Sequence, residues 1–294
     1  MEAGNFPSKE TIEMDFLRWP TPKFAKTEFE RALIFRQHHK RAIDGTGANY
    51  LSSHTRGSSE EIDCCCVNDD FSRVTDQLDL RYPTLLWVDP TFMPTECLAQ
   101  FISGWKNNSK ATDKVGLAII VSKGNTSEKA KSIFEPWRIE GSKLSWNEVV
   151  NEPIWYPSLS RDAKTLFDAA AYLNPYDVFP LVEFSDWSVE WGERTVANHF
   201  SMLEQYRTRT RNLIYIDVSH PERAFLQFYG TLRALRQSGS IFQPVITPGG
   251  NATTFLATLL SGVLAEAYFL TPKEEIPINT VKDAEGVMVL RKCV

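Results

Sequence analysis

Two aspartates of this 294-residue chain stand where an α/β protein often carries its chemistry, at the end of a run of apolar residues. Asp89 ends the run 84–89, and Asp217 lies near the end of the run 213–218. A carboxylate in that position can act as a general base, and His220 carries an imidazole that exchanges protons near neutral pH. We therefore predict Asp89, Asp217 and His220 as catalytic residues. The alternative for each aspartate is that it caps the following helix.

Two loops that follow apolar runs combine glycine with asparagine and hydroxyl residues. Glycine allows close backbone approach, so the N–H groups of such loops can bind a phosphate or a carboxylate. Together with a serine that follows Asp217, these loops give the predicted ligand-binding residues: Ser122, Lys123, Gly124, Asn125, Ser219, Gly249, Gly250, Asn251 and Thr253. Both loops contain Gly-Asn followed by a hydroxyl residue, either because the chain holds paired half-sheets or because common turn residues recur. Each loop can also be a capping turn without a ligand.

The elements that must position these residues alternate between apolar runs and helical patterns. Continuous apolar runs of this length are typical of strands buried on both faces, so the alternation predicts a mostly parallel, Rossmann-like doubly wound sheet. The ends of parallel strands meet at one edge, where ligands of such sheets bind. The predicted strands are 84–89, 115–121, 213–218, 242–246 and 287–290, and the predicted helices are 95–105, 126–134, 160–173, 222–237 and 253–269.

The predicted domain organisation is an N-terminal region, 1–63, followed by a single α/β domain, 64–294. The first region is expected to contain an arm (1–22), a helix (23–43) and a flexible loop (44–63). An irregular insertion rich in tryptophan and proline is expected at about 136–200 within the α/β domain. The run Cys64–Cys66 is interpreted as part of a short buried strand, because structural zinc sites space their cysteines along the chain.

Composition narrows the function classes. Hydrophobic residues make up 43% and charged residues 23% of the chain, which is ordinary for a globular protein. The formal net charge of −5 argues against a general nucleic-acid binder, although 36–41 and 207–211 form local basic patches. An odd number of cysteines, five, and the lack of a secretory signal or a bilayer-length apolar run favour a cytoplasmic or nuclear protein without membrane contact.

The predicted function is binding of a small anionic ligand, a nucleotide or another phosphate-bearing molecule, at the carboxyl edge of the sheet. The reaction class is left open between transferase and hydrolase. The chain contains no P-loop, no GxGxxG, no HExxH, no GxSxG and no CxxC motif, so no cofactor is identified and no metal site is predicted. The alternative is a non-enzymatic Rossmann-like subunit whose aromatic residues, 12% of the chain, bind protein partners.

Overall fold

The computed structural model shows a mixed α/β protein with two six-stranded sheets, a two-stranded sheet and, among the described residues, six helices. The described residues are 11–18, 31–37, 59–64, 82–90, 93–108, 114–122, 133–140, 143–146, 149–184, 189–206, 208, 212–239, 241–273, 275–278 and 284–293.

The first sheet is formed by strands from both ends of the described chain. They are β1 (Thr11–Arg18), β2 (Arg31–Gln37), β3 (Ser59–Cys64), β4 (Thr84–Val88), β5 (Val115–Ser122) and β14 (Ala284–Cys293). Their order in space is β1-β14-β5-β4-β2-β3. The four strands β5, β4, β2 and β3 are parallel, whereas β14 is antiparallel to both β5 and β1. Strands β4 and β5 are almost entirely apolar because both of their faces are covered.

The second sheet lies in the second half of the chain. Its strands are β6 (Phe134–Glu140), β7 (Lys143–Trp146), β8 (Pro153–Pro157), β9 (Asp177–Val178), β12 (Gln243–Thr247) and β13 (Tyr268–Pro272). Their order is β7-β6-β13-β12-β8-β9, and β13, β12, β8 and β9 are parallel. A parallel pair, β10 (Leu181–Phe184) and β11 (Ile214–Asp217), prolongs this sheet, because β10 directly follows β9 and Leu181 forms a bridge to Ser158.

Helices cover both faces of the second sheet. They are α1 (Thr95–Asn107), α2 (Ala163–Leu173), α3 (Val189–Asn198), α4 (Phe200–Gln205), α5 (Pro221–Gln237) and α6 (Ala252–Leu264). One hydrophobic cluster joins α1, α5 and α6 to both large sheets, and a second cluster joins α2 and α4 to the opposite face of the second sheet. All 13 residues of α6 are buried, so this helix is apolar around most of its circumference.

The chain crosses between the two large sheets twice, and after each crossing the next strand pairs antiparallel in the other sheet. After β5 the chain crosses from the first sheet to the second, where β6 pairs antiparallel with β13. After β13 it crosses back, and β14 pairs antiparallel with β5. The units β4-α1-β5-β6 and β12-α6-β13-β14 therefore have the same element order, and α1 packs directly on α6. The topology therefore contains two related halves, in which β12 corresponds to β4 and β13 corresponds to β5. One Gly-Asn sequence follows β5 and the other follows β12, so the two do not occupy equivalent positions.

The α/β class and the alternation of strands and helices are confirmed, whereas the single mostly parallel sheet is not, because both large sheets are mixed. The predicted helix over 23–43 is wrong where it can be compared: Arg31–Gln37 is β2, which pairs with two parallel neighbours. The expected arm contains β1, and the expected flexible loop contains the first five residues of β3. Cys64 ends β3, and Cys65 and Cys66 lie outside the described residues.

The segment 136–200 is not irregular, because it supplies most of β6 and all of β7, β8 and β9 of the second sheet. Two of its tryptophans are core residues of strands: the indole N–H of Trp137 donates to Thr271 Oγ1 and that of Trp155 donates to Thr247 Oγ1, both at 2.8 Å. The predicted helix 253–269 is also too long. It ends at Leu264, and β13 begins at Tyr268 after a turn in which Glu266 has a positive φ of 54°.

One further predicted helix, 126–134, is not confirmed: its residues 126–132 lie outside the described residues, and Phe134 begins β6. The remaining predicted elements agree with the structure to within a few residues. Among the described residues, no helix combines the length and the apolar character needed to cross a bilayer.

The packing of α6 on the second sheet predicts opposite effects for two helical glycines. A Cβ at Gly262 would lie 2.6 Å from both Ile246 Cδ1 and Phe269 Cζ, whereas a Cβ at Gly230 of α5 has no atom within 4 Å. We expect Gly262→Ala to lower the free energy of unfolding by about 1–3 kcal/mol through overpacking. The matched control, Gly230→Ala, should raise it by about 0.5–1 kcal/mol through helix propensity. Urea denaturation measures both, and equal effects would contradict the described packing of α6.

Candidate functional site

Polar side chains and two loops meet where β8, β10 and β12 end, and we refer to this region as the crevice. Strands β8 and β12 are adjacent and parallel, so the loops that follow them start side by side, and the N–H of Ser158 donates to Thr247 O at 3.0 Å. The loop after β8 leads into α2, whose N-cap is Asp162, and the loop after β12 leads into α6, whose N-cap is Asn251. The crevice is therefore flanked by two helix N-termini, which carry partial positive charge.

A buried ion pair fixes these loops relative to each other. The Arg161 guanidinium donates to both carboxylate oxygens of Glu275, at 2.9 and 2.8 Å, and its Nε donates to Pro248 O at 2.7 Å. The two side chains are only 3% and 5% exposed. Such a bidentate pair is stable in the interior because every charged atom has a partner. Arg161 thus connects the loops that follow β8, β12 and β13.

A second buried acid, Glu183, lies on the other side of the β12 loop. Its Oε1 accepts the Asn251 N–H at 2.8 Å, and the residue is only 2% exposed. Burial raises the pKa of Glu183, and hydrogen bonding by Thr254, Asn251 and Ser160 offsets part of this rise. The Thr254 hydroxyl is close to the Glu183 carboxyl. However, neither Glu183 Oε2 nor Thr254 Oγ1 makes a well-aligned hydrogen bond in the described part of the chain.

The glycines of the β12 loop are required by these two charged groups. A Cβ at Gly250 would lie 1.9 Å from Glu183 Oε1, and the φ of Gly250 is +95°, in the region that favours glycine. A Cβ at Gly249 would lie 2.9 Å from Arg161 Cγ. The loop then enters α6 through Asn251, whose side chain accepts the Thr254 N–H at 2.8 Å. The sequence Gly249–Asn251 therefore brings the backbone into contact with two ionisable side chains.

Asp217 and His220 form a hydrogen-bonded pair at the end of β11. His220 Nδ1 lies 2.7 Å from Asp217 Oδ2, and Asp217 Oδ1 accepts the Ser219 N–H at 2.9 Å. The His220 side chain is 36% exposed, and Asp217 is partly buried. The carboxylate orients the imidazole, and Nε2 makes no hydrogen bond to a described residue. This arrangement is suited to general acid–base chemistry.

The structure groups most of the residues predicted from the sequence. Asp217, Ser219 and His220 lie together, and Gly249, Gly250, Asn251 and Thr253 lie together at the same edge of the extended second sheet. Strands β11 and β12 are separated by β10 and β8, but the β12 loop reaches back toward β11, because Asn251 contacts Glu183 of β10, the neighbour of β11. Asp89 and Ser122 lie elsewhere, at the ends of β4 and β5 in the first sheet, and Lys123, Gly124 and Asn125 are outside the described residues.

The carboxyl ends of β4 and β12 nevertheless open at the same end of the molecule. At one end of α1, Thr95 donates to Glu275 O from both N–H and Oγ1, at 2.9 and 3.2 Å, which places this helix start beside the Arg161–Glu275 pair. At the other end, Lys106 Nζ donates to Leu264 O, in the last residue of α6, at 3.0 Å. Helices α1 and α6 therefore run in the same direction, and the buried Asp89 shares an end of the molecule with Gly250.

Sequence reasoning missed most of the ionisable groups of the crevice. Arg161 and Glu183 fall in the segment that was interpreted as an irregular insertion, and Glu275 follows a strand that was assigned to a helix. The strands that precede the first two were visible as apolar runs at 154–157 and 178–182, each followed by small or polar residues, although the partners of Arg161 and Glu183 were not. Prolines 153, 157 and 180 concealed these runs, because proline usually interrupts a strand.

The described residues offer no cluster of three or more His, Cys, Asp or Glu side chains that could bind a metal ion. No protein-family model and no curated protein matches the chain. Among solved structures, it is similar to a functionally unknown protein from Pseudomonas aeruginosa PAO1, with 8% sequence identity and a TM-score of 0.26. The alignment covers 84% of this chain and 94% of that chain, but a likeness this weak supports no inference about fold or function.

The Arg161–Glu275 pair gives a stability prediction. Glu275→Gln removes the negative partner of a buried guanidinium, so the free energy of unfolding should fall by about 3 kcal/mol or more. The matched control is Asp15→Asn, which makes the same carboxylate-to-amide change in the exposed pair with Arg291 and should cost no more than about 1 kcal/mol. Chemical denaturation of both variants provides the comparison. A loss from Glu275→Gln as small as that of the control would show that the pair does not hold the loops.

Proposed function

We propose that this protein binds a small anionic ligand, a nucleotide or another phosphate-bearing molecule, in the crevice between the carboxyl ends of β8 and β12. The observation that carries the proposal is the order of the parallel strands. Numbered along the chain, β8 is first, the β9 and β10 segment second, β11 third, β12 fourth and β13 fifth, and their order in space is 3-2-1-4-5. This order is typical of Rossmann-like doubly wound sheets, whose ligands bind where the order reverses, and it therefore supports the proposal.

The chemistry of the crevice supports an anionic ligand. The Gly249–Asn251 loop leads directly into the N-terminus of α6, a buried helix of 13 residues. The first N–H groups of a helix have no partner within it, and the helix dipole favours negative charge at that end. The Asn251 side chain satisfies one of these donors, at Thr254. A phosphate group placed against this turn would accept hydrogen bonds from the donors that remain.

The Asp217–His220 pair supports a hydrolase or a transferase as the reaction class. In this proposal, Asp217 holds the imidazole in place and His220 Nε2 accepts the proton of an attacking water or hydroxyl group. Asp217 ends β11, beside β10, and Glu183 of β10 contacts the Asn251 N–H of the β12 loop. In this proposal, a nucleotide bound by the loop extends along the edge toward the Asp217–His220 pair.

The binding proposal is tested with two variants that each remove a helix N-cap. Asn251→Ala removes the cap of α6 inside the crevice, and Asp162→Ala removes the cap of α2, whose carboxylate accepts the Thr165 N–H at 3.0 Å. Both should lose about 0.5–2 kcal/mol of stability. Only Asn251→Ala should weaken binding of inorganic phosphate and ADP, by tenfold or more, in isothermal titration calorimetry. Failure of the unaltered protein to bind either probe would overturn the proposal.

The catalytic part of the proposal has a separate test. If His220 is the general base, His220→Gln should lower kcat for phosphate release from nucleoside di- or triphosphates by about 10²–10⁴-fold. The dissociation constant for ADP should stay unchanged, because the imidazole acts on the attacking group. Asp217→Asn should lower kcat in the same way without an additive effect in the double variant. Turnover that survives both substitutions would remove this pair from the mechanism and leave ligand binding standing.

A second candidate function, a protein-binding subunit, is favoured by the opposite edge of the second sheet. Val149, Tyr176 and Ile241 precede the adjacent strands β8, β9 and β12, and they are 75%, 66% and 71% exposed. The Tyr176 ring also contacts Phe242, with centroids 4.6 Å apart. Exposed aliphatic and aromatic side chains at neighbouring strand ends are typical of interaction surfaces. This surface lies away from the crevice, so the two candidate functions are compatible.

A further inference from the structure

The proposed function gives no role to Glu183, the buried acid that contacts the start of α6. The Asn251 N–H that Glu183 Oε1 accepts belongs to the same helix start that would bind the ligand. Its other oxygen, Oε2, is buried and has no hydrogen-bond partner among the described residues. The hydroxyl of Thr254, in the first turn of α6, is buried and unpartnered in the same sense. Glu183 and Thr254 are thus close to each other at the start of α6, and each has a buried oxygen without a well-aligned hydrogen bond in the described part of the chain.

We propose that Glu183 is the specificity residue of this site: its carboxyl is protonated when the ligand is bound, and Oε2 donates that proton to an oxygen of the bound phosphate group. Oε1 meanwhile keeps the Asn251 N–H. This inference rests on the proposed function and names the recognising group. The one bond that forms is the O–H bond of Glu183, whose proton comes from the solvent when the free carboxyl is ionised, and Oε2 then donates this proton in a hydrogen bond to the phosphate oxygen.

The arrangement of atoms requires the proton. Glu183 and a phosphate would both lie against one helix start, and two negative groups in a water-excluded site repel strongly. Gly250 leaves no room for the carboxyl to retreat toward the loop, because a Cβ there would overlap Oε1. A neutral carboxyl removes the repulsion and supplies a donor. It also accounts for an Oε2 atom that no described residue pairs.

The charged groups on the surrounding elements are either paired with one another or exposed. Helix α3, which packs on β10, carries Glu193 and Arg194, and both are exposed. The loop after β8 contributes Arg161, which Glu275 pairs. The neighbouring strand β11 contributes Asp217, which His220 pairs. The described residues 247–254 include no charged side chain. No cation therefore compensates an ionised Glu183, and its burial, which raises the pKa of the carboxyl, favours the protonated form.

The consequence is binding that is linked to proton uptake. The pKa of Glu183 is raised in the free protein, and a neighbouring anion raises it further, so the complex holds the proton to a higher pH than the free protein does. Below both pKa values Glu183 is protonated with and without ligand, so its titration gives the affinity no pH dependence. As pH rises through the pKa of the free protein, each binding event takes up as much as one proton, and the affinity falls by as much as tenfold per pH unit.

Titration of the protein with inorganic phosphate from pH 5 to pH 9 tests this, in two buffers that differ in ionisation enthalpy. The informative variant is Glu183→Gln, because its amide can accept from Asn251 and donate to the phosphate without a titrating proton. The control is Glu193→Gln, which makes the same change in net charge on an exposed residue of α3, beside β10. Ionisation of phosphate itself contributes equally to all three proteins and cancels in the differences.

At pH 9 we expect the unaltered protein and Glu193→Gln to bind phosphate at least tenfold more weakly than Glu183→Gln does. Both should also take up more protons on binding than Glu183→Gln. Identical pH profiles for Glu183→Gln and unaltered protein would overturn the inference and leave the proposed function intact. So would net proton release on binding by the unaltered protein at pH 9, where free phosphate is already the dianion, and this measurement needs no folded variant. Absence of phosphate and ADP binding at every pH would overturn both proposals together.

Discussion

The buried ion pair between Arg161 and Glu275 is the constraint on which the arrangement of the site depends. Burial of two charges is costly unless each is fully paired, so the positions of the groups that satisfy them are fixed narrowly. The guanidinium also binds Pro248 O, and the backbone oxygen of Glu275 accepts from Thr95 at the start of α1. One pair thus sets the relative positions of the β8, β12 and β13 loops and of a helix from the other half of the molecule.

The two crossings of the chain between the large sheets explain how both halves of the molecule contribute to the arrangement around this ion pair. Because β6 and β14 each leave the sheet of the preceding strand, α1 and α6 are enclosed between the sheets and lie side by side. The far ends of the helices are also tied together: Lys292 of β14, itself buried, donates to Lys106 O at 2.7 Å, and Lys106 donates to Leu264 O at the end of α6. Because both ends of the helix pair are tied together, α1 and α6 have little freedom to move relative to each other. The loops at the start of the two helices are therefore held in a fixed arrangement.

The sequence predicted strands that are uniformly apolar and helices with clear caps, and it failed where tertiary pairing decides. Strands β4 and β5 and helix α5 follow from periodicity alone. Strand β2 does not, because its apolar core 32–35 is short and surrounded by charges, and only its two parallel neighbours make it a strand. Of the crevice, the Gly249–Asn251 loop and the Asp217–His220 pair were accessible to sequence reasoning. Glu183 and Arg161 were not, because their partners lie 68 and 114 residues away along the chain.

The position of β14 has a consequence for the order in which the molecule can assemble. Strand β1 pairs with no described strand other than β14, and Asp15 meets Arg291 across 276 residues of chain. Contacts of such long sequence separation form late and slow folding, because the loop entropy is lost before the contacts compensate for it. During translation, therefore, the first sheet remains open at β5 until residues 284–293 emerge from the ribosome, and that unpaired edge is the surface a chaperone would need to shield.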